Sequence, residues 1–384
     1  MRISTIDHWL VRVPFSEVIA WGSGTRIGTT RLICRLTTDE GVEGWGETLC
    51  LIDAVPAVFR EVVAKIGPGY DINNVERLHR HVLGAGYYHH KRAAVMAIAA
   101  LEMAMWDAKG KAAGLPLWAM WGGRWRDKVA AAAYTFTREP AQLAERLMTF
   151  RESGYSSFKV KIGFDAESDI ALATIARDTL GDDAHIRLDV NGAWTRATAK
   201  RQLERLRPLA PAYVEQPLEL DDLVGARALA QNQPLPIALD ESAYTLQDVG
   251  NIVTNQAAEI LLLDPHQAGG LWQVIKAAAI AEAAGIEVGL HSGAELAISQ
   301  AAYLHLAASI PNMTLAIDTE RAYLAGDIAH DPPQLAHGSF AVPEAPGLGV
   351  TPDPEMIARY TVDRIEGAYL DPARPDWFPV KPQY

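Results

Sequence analysis

Seven ionisable residues close short apolar runs along this chain. Lys161 ends SFKVK, Asp189 ends HIRLD, Glu215 ends AYVE, Asp240 ends IALD, Asp264 ends EILLLD, His291 ends EVGLH and Asp318 ends TLAID. Asp189, Glu215 and Asp240 come in immediate succession. Three carboxylates brought to one point repel each other unless a hard cation neutralises them. An all-oxygen ligand set favours Mg2+, which keeps positions open for water or substrate. No Cys and no paired His accompany them, so zinc is not expected. Capping of the following helix would explain one strand-end carboxylate, but explains three in register poorly.

Lys159 and Lys161 alternate with Val160, so on a strand they share a face. Were that face solvent-exposed, Phe158, Val160 and Ile162 would be the buried side. The three carboxylates downstream favour the inward reading. Two buried ammonium groups close to each other and to a cation should have lowered pKa values, and a partly neutral lysine can act as a base. Asp264 and His291 end successive runs. A carboxylate beside one imidazole nitrogen orients the ring and raises its basicity, which gives a second acid/base group. His266 and His305 lack this position in the series and are read as structural. Such a set suits a small carboxylate substrate: the cation and Lys159 hold the carboxylate while the α-proton leaves. With a hydroxyl on the β-carbon, protonated His291 expels it as water. Without one, His291 returns a proton to the opposite face.

The elements that position these groups follow from their spacing, which is 28, 26, 25, 24, 27 and 27 residues in turn. That interval fits a strand, a helix and their two connections. With VAAAAYTF (Val129 to Phe136) as the first, eight strands are expected, closing a (β/α)8 barrel over residues 126–325 whose strand C-termini ring one mouth. Residues 1–125 read as an α+β domain, in which strands ISTIDHWLVRVPF and TTRLICRLTT and the hairpin DEGVEGWGE precede helical segments. Between the first two strands, EVIAWGSGTRIG (Glu17 to Gly28) reads as a mobile loop whose Trp21, Thr25 and Arg26 cover the substrate. Residues 326–384, rich in Pro and Gly, are expected to pack back on the first domain.

Composition excludes other classes. A net charge of −12 without Lys/Arg blocks argues against nucleic acid and anionic membranes as partners. Cys34 and Cys50 form no disulfide framework and fit a reducing cytoplasm. The start MRISTIDHWLVRVP shows no export signal. No uncharged apolar run approaches the roughly 20 residues that span a bilayer.

These motifs resemble the enolase superfamily, in its mandelate racemase and glucarate dehydratase branch, over nearly the whole chain. EGWGE and GLPLWAMWGGRWR resemble its capping domain, and SFKVKIG its Lys-x-Lys strand. RLDVNGAW, VEQP and ALDES are similar to its three metal-ligand strands. LLLDPH, LHSGAELAISQAAYLHLAAS and TLAIDTE look most like glucarate dehydratases, and VPEAPGLGV like the family's closing segment. The resemblance implies a modified, enolase-type barrel with an N-terminal α+β capping domain completed by the C-terminal segment. It implies Lys161 and His291 as bases for opposite faces, Asp264 as partner of His291, Lys159 and Asp318 at the substrate carboxylate, and Asn191 beside them. Asp189, Glu215 and Asp240 would bind Mg2+. The leading activity it implies is dehydration of an acid sugar to a 2-keto-3-deoxy acid. Racemisation or epimerisation of a hydroxy or amino acid and cycloisomerisation of a sugar lactone are the alternatives, and a non-catalytic sugar-acid binder ranks last. A homo-oligomer is also expected. Asp240 and Glu215-Gln216-Pro217 depart from the glucarate dehydratase pattern, whereas Asp264 stands where the cycloisomerase group carries a lysine.

Overall fold

The structure, a computed structural model, describes residues 1–21, 24–84, 89–365 and 384. It opens with an antiparallel sheet, β1 (Ile3–Trp21), β2 (Gly24–Thr38) and β3 (Glu43–Leu49), in that order. The helix Lys91–Ala113 lies against it. The approach is close because Gly44 and Gly46 alternate on β3 and so share a face. A Cβ on Gly46 would stand 1.8 Å from the Ala100 carbonyl oxygen, and one on Gly44 2.1 Å from that of Ala104.

The Glu17–Gly28 segment corrects the loop expectation. It is a hairpin: Ile19, Ala20 and Trp21 pair with Arg26, Thr25 and Gly24. Its pairing shifts between Pro14 and Ile19 and then resumes. Proline cannot donate to a ladder, but the β-favouring residues beyond it restore the pairing. The turn at 22–23 and the Trp21 side chain lie outside the described residues.

Eight parallel strands follow: β4 (Lys128–Thr135), β5 (Ser157–Lys161), β6 (His185–Asp189), β7 (Tyr213–Glu215), β8 (Ile237–Leu239), β9 (Ile260–Leu263), β10 (Glu287–Leu290) and β11 (Ile317–Asp318). Their ladder runs unbroken from β10 back to β4, and β11 pairs with the other side of β4. At the β10–β11 seam Val288 N–H donates to the Asn312 carbonyl. The ring is modified at its end. A single 3-10 turn, Arg321–Tyr323, follows β11 where an eighth barrel helix would stand. Several helices start at a sequence-encoded cap. Asp165, Thr195, Asp222 and Thr245 each accept a backbone N–H of the first turn, worth about 1 kcal/mol apiece. Beyond the barrel, β12 (Leu335–Ala336) and β13 (Ser339–Ala341) form a hairpin that adds antiparallel to the N-terminal half of β4. Thr361 bridges Val11, and Val362 N–H donates to the Leu10 carbonyl of β1. Of the segment expected to pack back, residues 366–383 lie outside the described residues. No helix among those described is long and apolar enough to cross a membrane.

Buried carboxylates join the two units. Glu47, on β3, accepts the N–H groups of Leu296 and Ser299 and so caps the barrel helix Ala297–Ser309. Glu102 does the same for Leu271 and Trp272 at the start of the helix Leu271–Ala283. The capping domain thereby satisfies orphan donors of the barrel. Burial raises both acids, each to about 7.

Candidate active site

Strand register brings the chemistry together. Lys161 pairs with Asp189, and Asp189 with Glu215, across β5, β6 and β7. Alternation then sends Lys159 and Arg187, two residues earlier on β5 and β6, into the interior as well. Lys159 is fully buried. Its Nζ lies 2.5 Å from Glu215 Oε1, 2.7 Å from Asp318 Oδ2 and 3.1 Å from Asp189 Oδ2. Asp318 also accepts from Tyr134 Oη at 2.8 Å and from Arg187 Nη1 at 2.9 Å. The expected drop in the Lys159 pKa is therefore reversed. Burial opposes the charge, but three carboxylates outweigh it and hold the ammonium well above its usual range. Burial likewise opposes ionisation of Asp189, yet Lys159 and Lys161 keep it below the usual carboxylate range. Glu215 shifts upward, through burial and the charge of Asp189.

Above this layer lies a cavity of about 330 Å3. Lys161 rises into it from β5, with Nζ 2.5 Å from Asp189 Oδ2 and 3.1 Å from Asn191 Oδ1. His291 enters from the end of β10, and Asp240 and Asn191 line the wall between. Arg26 lines it too, 3.1 Å from Glu320 Oε2, whereas Thr25 is half-buried and does not line it. Lys159, Asp189, Glu215 and Asp318 lie beneath the cavity and are not among its lining residues.

The expected pairing of Asp264 with His291 is not formed. His291 Nδ1 sits 2.9 Å from Asp240 Oδ2, though out of line for a hydrogen bond. Asp264 Oδ1 instead accepts from His266 N–H at 2.7 Å and Tyr303 Oη at 3.0 Å, which makes it the cap of the short helix Pro265–Ala268. Its carboxyl is pushed up to about 6, chiefly by burial. Burial disfavours the charged form of His291, but Asp240 overrides it and raises the imidazole to about 10. His266 and His305 are buried, His266 against Arg31 and His305 against the Leu348 carbonyl.

The carboxylates fit a cation. Glu215 Oε2 and both oxygens of Asp240 are buried without a hydrogen-bond donor, and such oxygens are what a hard divalent ion satisfies. Glu215, His291 and Asp318 bring one ligand atom each within 4.8 Å of one another, so a three-residue cluster able to hold a metal is present. It shares only Glu215 with the three acids expected from sequence.

Some site residues escaped the sequence reading. Glu241 lines the cavity, accepts from Asn191 Nδ2 at 3.0 Å and is raised to about 7 by burial and by Asp240. Only its place beside Asp240 hints at it. Arg187 could have been found, since it precedes Asp189 by two residues as Lys159 precedes Lys161. Arg92, over the Tyr244 ring at 4.3 Å, and Gln267 line the cavity with no signal in the sequence.

Barrel, capping domain and acidic centre together define a family, and comparison agrees. Residues 141–356 match the enolase C-terminal domain-like family, and residues 6–122 match the N-terminal domain of mandelate racemase and muconate lactonizing enzyme. The chain belongs to the enolase superfamily, in its mandelate racemase/muconate lactonizing enzyme branch. It is 26% identical to the N-succinyl-L-Arg/Lys racemase of Bacillus cereus, over 94% of this chain and 98% of that one. It is 29% identical to the D-galactonate dehydratase of Cronobacter sakazakii, over 87% and 93%. The muconate lactonizing enzyme of Pseudomonas fluorescens, solved with muconolactone, superposes with a TM-score of 0.87 at 29% identity, covering 94% and 99%. These relatives differ in reaction, so the family leaves the choice among racemisation, dehydration and cycloisomerisation open.

Proposed function

We propose that the chain is a Mg2+-dependent enzyme that removes the proton α to a carboxylate, and that it then expels water from an acid sugar to give a 2-keto-3-deoxy acid. The observation that carries this is the shared cavity of Lys161 and His291. Their strands are not neighbours, because β4 and β11 stand between them on the shorter path round the ring. A flat carbanion between them therefore has a proton-transfer group on each face. Asp189, Glu215 and Asp240 are the residues we assign to hold Mg2+, and a divalent charge held there would stabilise the negative charge that builds on the substrate carboxylate. Lys159 and Asp318 set the field beneath that carboxylate.

Lys161 takes the α-proton, and the electron pair of the broken C–H bond forms a double bond to the β-carbon as its C–O bond breaks. His291 gives its proton to the departing hydroxyl, which leaves as water, and the enol becomes the ketone. Asn191, Glu241, Gln267 and Ser292 line the same cavity, and we assign them to the substrate's hydroxyl groups.

A second reading has its own support. On the side of the cavity formed by the capping domain, Leu49, Leu51, Ile52, Val55, Ala93 and Met96 make an apolar wall beside Arg26 and Arg92, and that wall suits a hydrocarbon group better than a polyol. That favours racemisation or epimerisation of a hydroxy or amino acid, in which His291 returns the proton to the opposite face. One assay separates the readings. A panel of acid sugars and of hydroxy and amino acids is incubated with enzyme and Mg2+ in D2O, following keto acid and α-deuterium by NMR. Keto acid from an acid sugar supports dehydration, and deuterium with inversion alone supports the second reading. Exchange that survives both Lys161→Ala and His291→Asn overturns the assignment of bases.

A further inference from the structure

Arg31, on β2 of the capping domain, is fully buried, and the mechanism above gives it no part. Its guanidinium touches the loops that follow both β9 and β10. Nη1 lies 3.2 Å from His266 Nε2, two residues beyond Asp264. Nη2 donates to the Gly293 carbonyl, two residues beyond His291, and to Glu295 Oε1 at 3.2 Å. Nε donates to Thr29 Oγ1 at 3.1 Å and stands 3.5 Å from Glu47 Oε1. Glu295 tightens the same loop by accepting from the Gly293 N–H at 2.7 Å and the Ser292 hydroxyl at 2.5 Å. A buried ion cluster of this kind often stabilises no more than apolar side chains of equal volume. What apolar side chains could not do is bind two separate loop ends with directed donors.

We propose that Arg31 is a positioning residue. Reaching across from the capping domain, it fixes the spacing between the loops that carry Asp264 and His291, and so places His291 against the substrate. The proposal rests on the acid/base reading of His291 for one of its two tests, and the other is independent of it. A guanidinium can only donate, so His266 Nε2 must accept, and the His266 proton must sit on Nδ1.

The experiment compares wild type, Arg31→Met and Arg31→Lys, each checked by melting curve. The 15N spectrum of the histidine rings in the resting protein should show one pure Nδ1–H tautomer for His266 in wild type. A mixture should appear in Arg31→Met, and a partial return to one tautomer in Arg31→Lys. In D2O, exchange on the face served by His291 should fall by about 100-fold in Arg31→Met, the scale of an ångström-sized misplacement. Exchange on the face served by Lys161 should stay near wild type. Should Arg31→Met fail to fold, Arg31→Lys carries both readings. An Nδ1–H tautomer unchanged in the folded variants, or an equal fall on both faces, overturns the proposal. If wild type exchanges neither face with any acid of the panel, the proposed function fails, and the tautomer result alone decides the clamp.

Discussion

Lys159→Met is the most telling perturbation of the site, because it removes one charge and almost no volume. Three carboxylates, Asp189, Glu215 and Asp318, lie within 3.1 Å of the Lys159 ammonium, with both partners of each pair fully buried. Without it, Arg187 on Asp318 and Lys161 on Asp189 are the nearest remaining cations, and Glu215 has no cation within ion-pair distance among the described residues. Removing one partner from a buried ion pair costs about 3–5 kcal/mol. Domains somewhat smaller than this chain lose roughly 2–4 °C per kcal/mol, so the metal-free variant should melt on the order of 10 °C lower. The sign for Mg2+ is opposite. Loss of a positive charge beside the acids should tighten binding, and saturation at 100 times Kd adds about 2.7 kcal/mol. The assay is a melting curve of each protein with and without Mg2+. The variant should be less stable without the ion, and Mg2+ should raise its Tm more than that of wild type. Equal metal-free stability, or a smaller Mg2+ shift in the variant, would refute the view that Lys159 balances the charge of the metal-binding acids.

Two further predictions concern the scaffold. His305 accepts the Trp118 N–H at 3.4 Å and lies 3.1 Å from the Leu348 carbonyl, and burial lowers its pKa from 6.5 to about 4. The unfolded chain thus takes up a proton first, so stability is kept above pH 6.5 and lost as pH falls through about 4. The loss is about 3 kcal/mol at 1.36 kcal/mol per pKa unit, and urea midpoints of wild type should fall more steeply over that range than those of His305→Gln. Gly46→Ala would drive a Cβ to 1.8 Å from the Ala100 carbonyl oxygen. We expect loss of soluble folded protein, and a melting temperature within a degree of wild type would show that β3 and its helix can separate without cost.

The barrel was legible because its strands are buried on both faces and end on charged residues at a steady interval, which only a repeating βα unit produces. The pairing of those charges was less so. Period-two alternation put Lys159 and Lys161 on one face, the carboxylates downstream turned that face inward, and the same rule applied to β6 would have revealed Arg187, which balances Asp318. His291 defeats any such rule. Whether it turns to Asp264 or Asp240 depends on its rotamer and on the His266 N–H and Tyr303 hydroxyl that hold Asp264 Oδ1. The Glu17–Gly28 hairpin was misread because glycine signals mobility and pairing turns alike, and register across Pro14 is a property of two strands together. Arg31 and Glu47 lie deeper still. Each is a buried charge on a capping-domain strand whose barrel partners lie more than two hundred residues away, so only the docking of the capping domain on the barrel gives either of them a purpose.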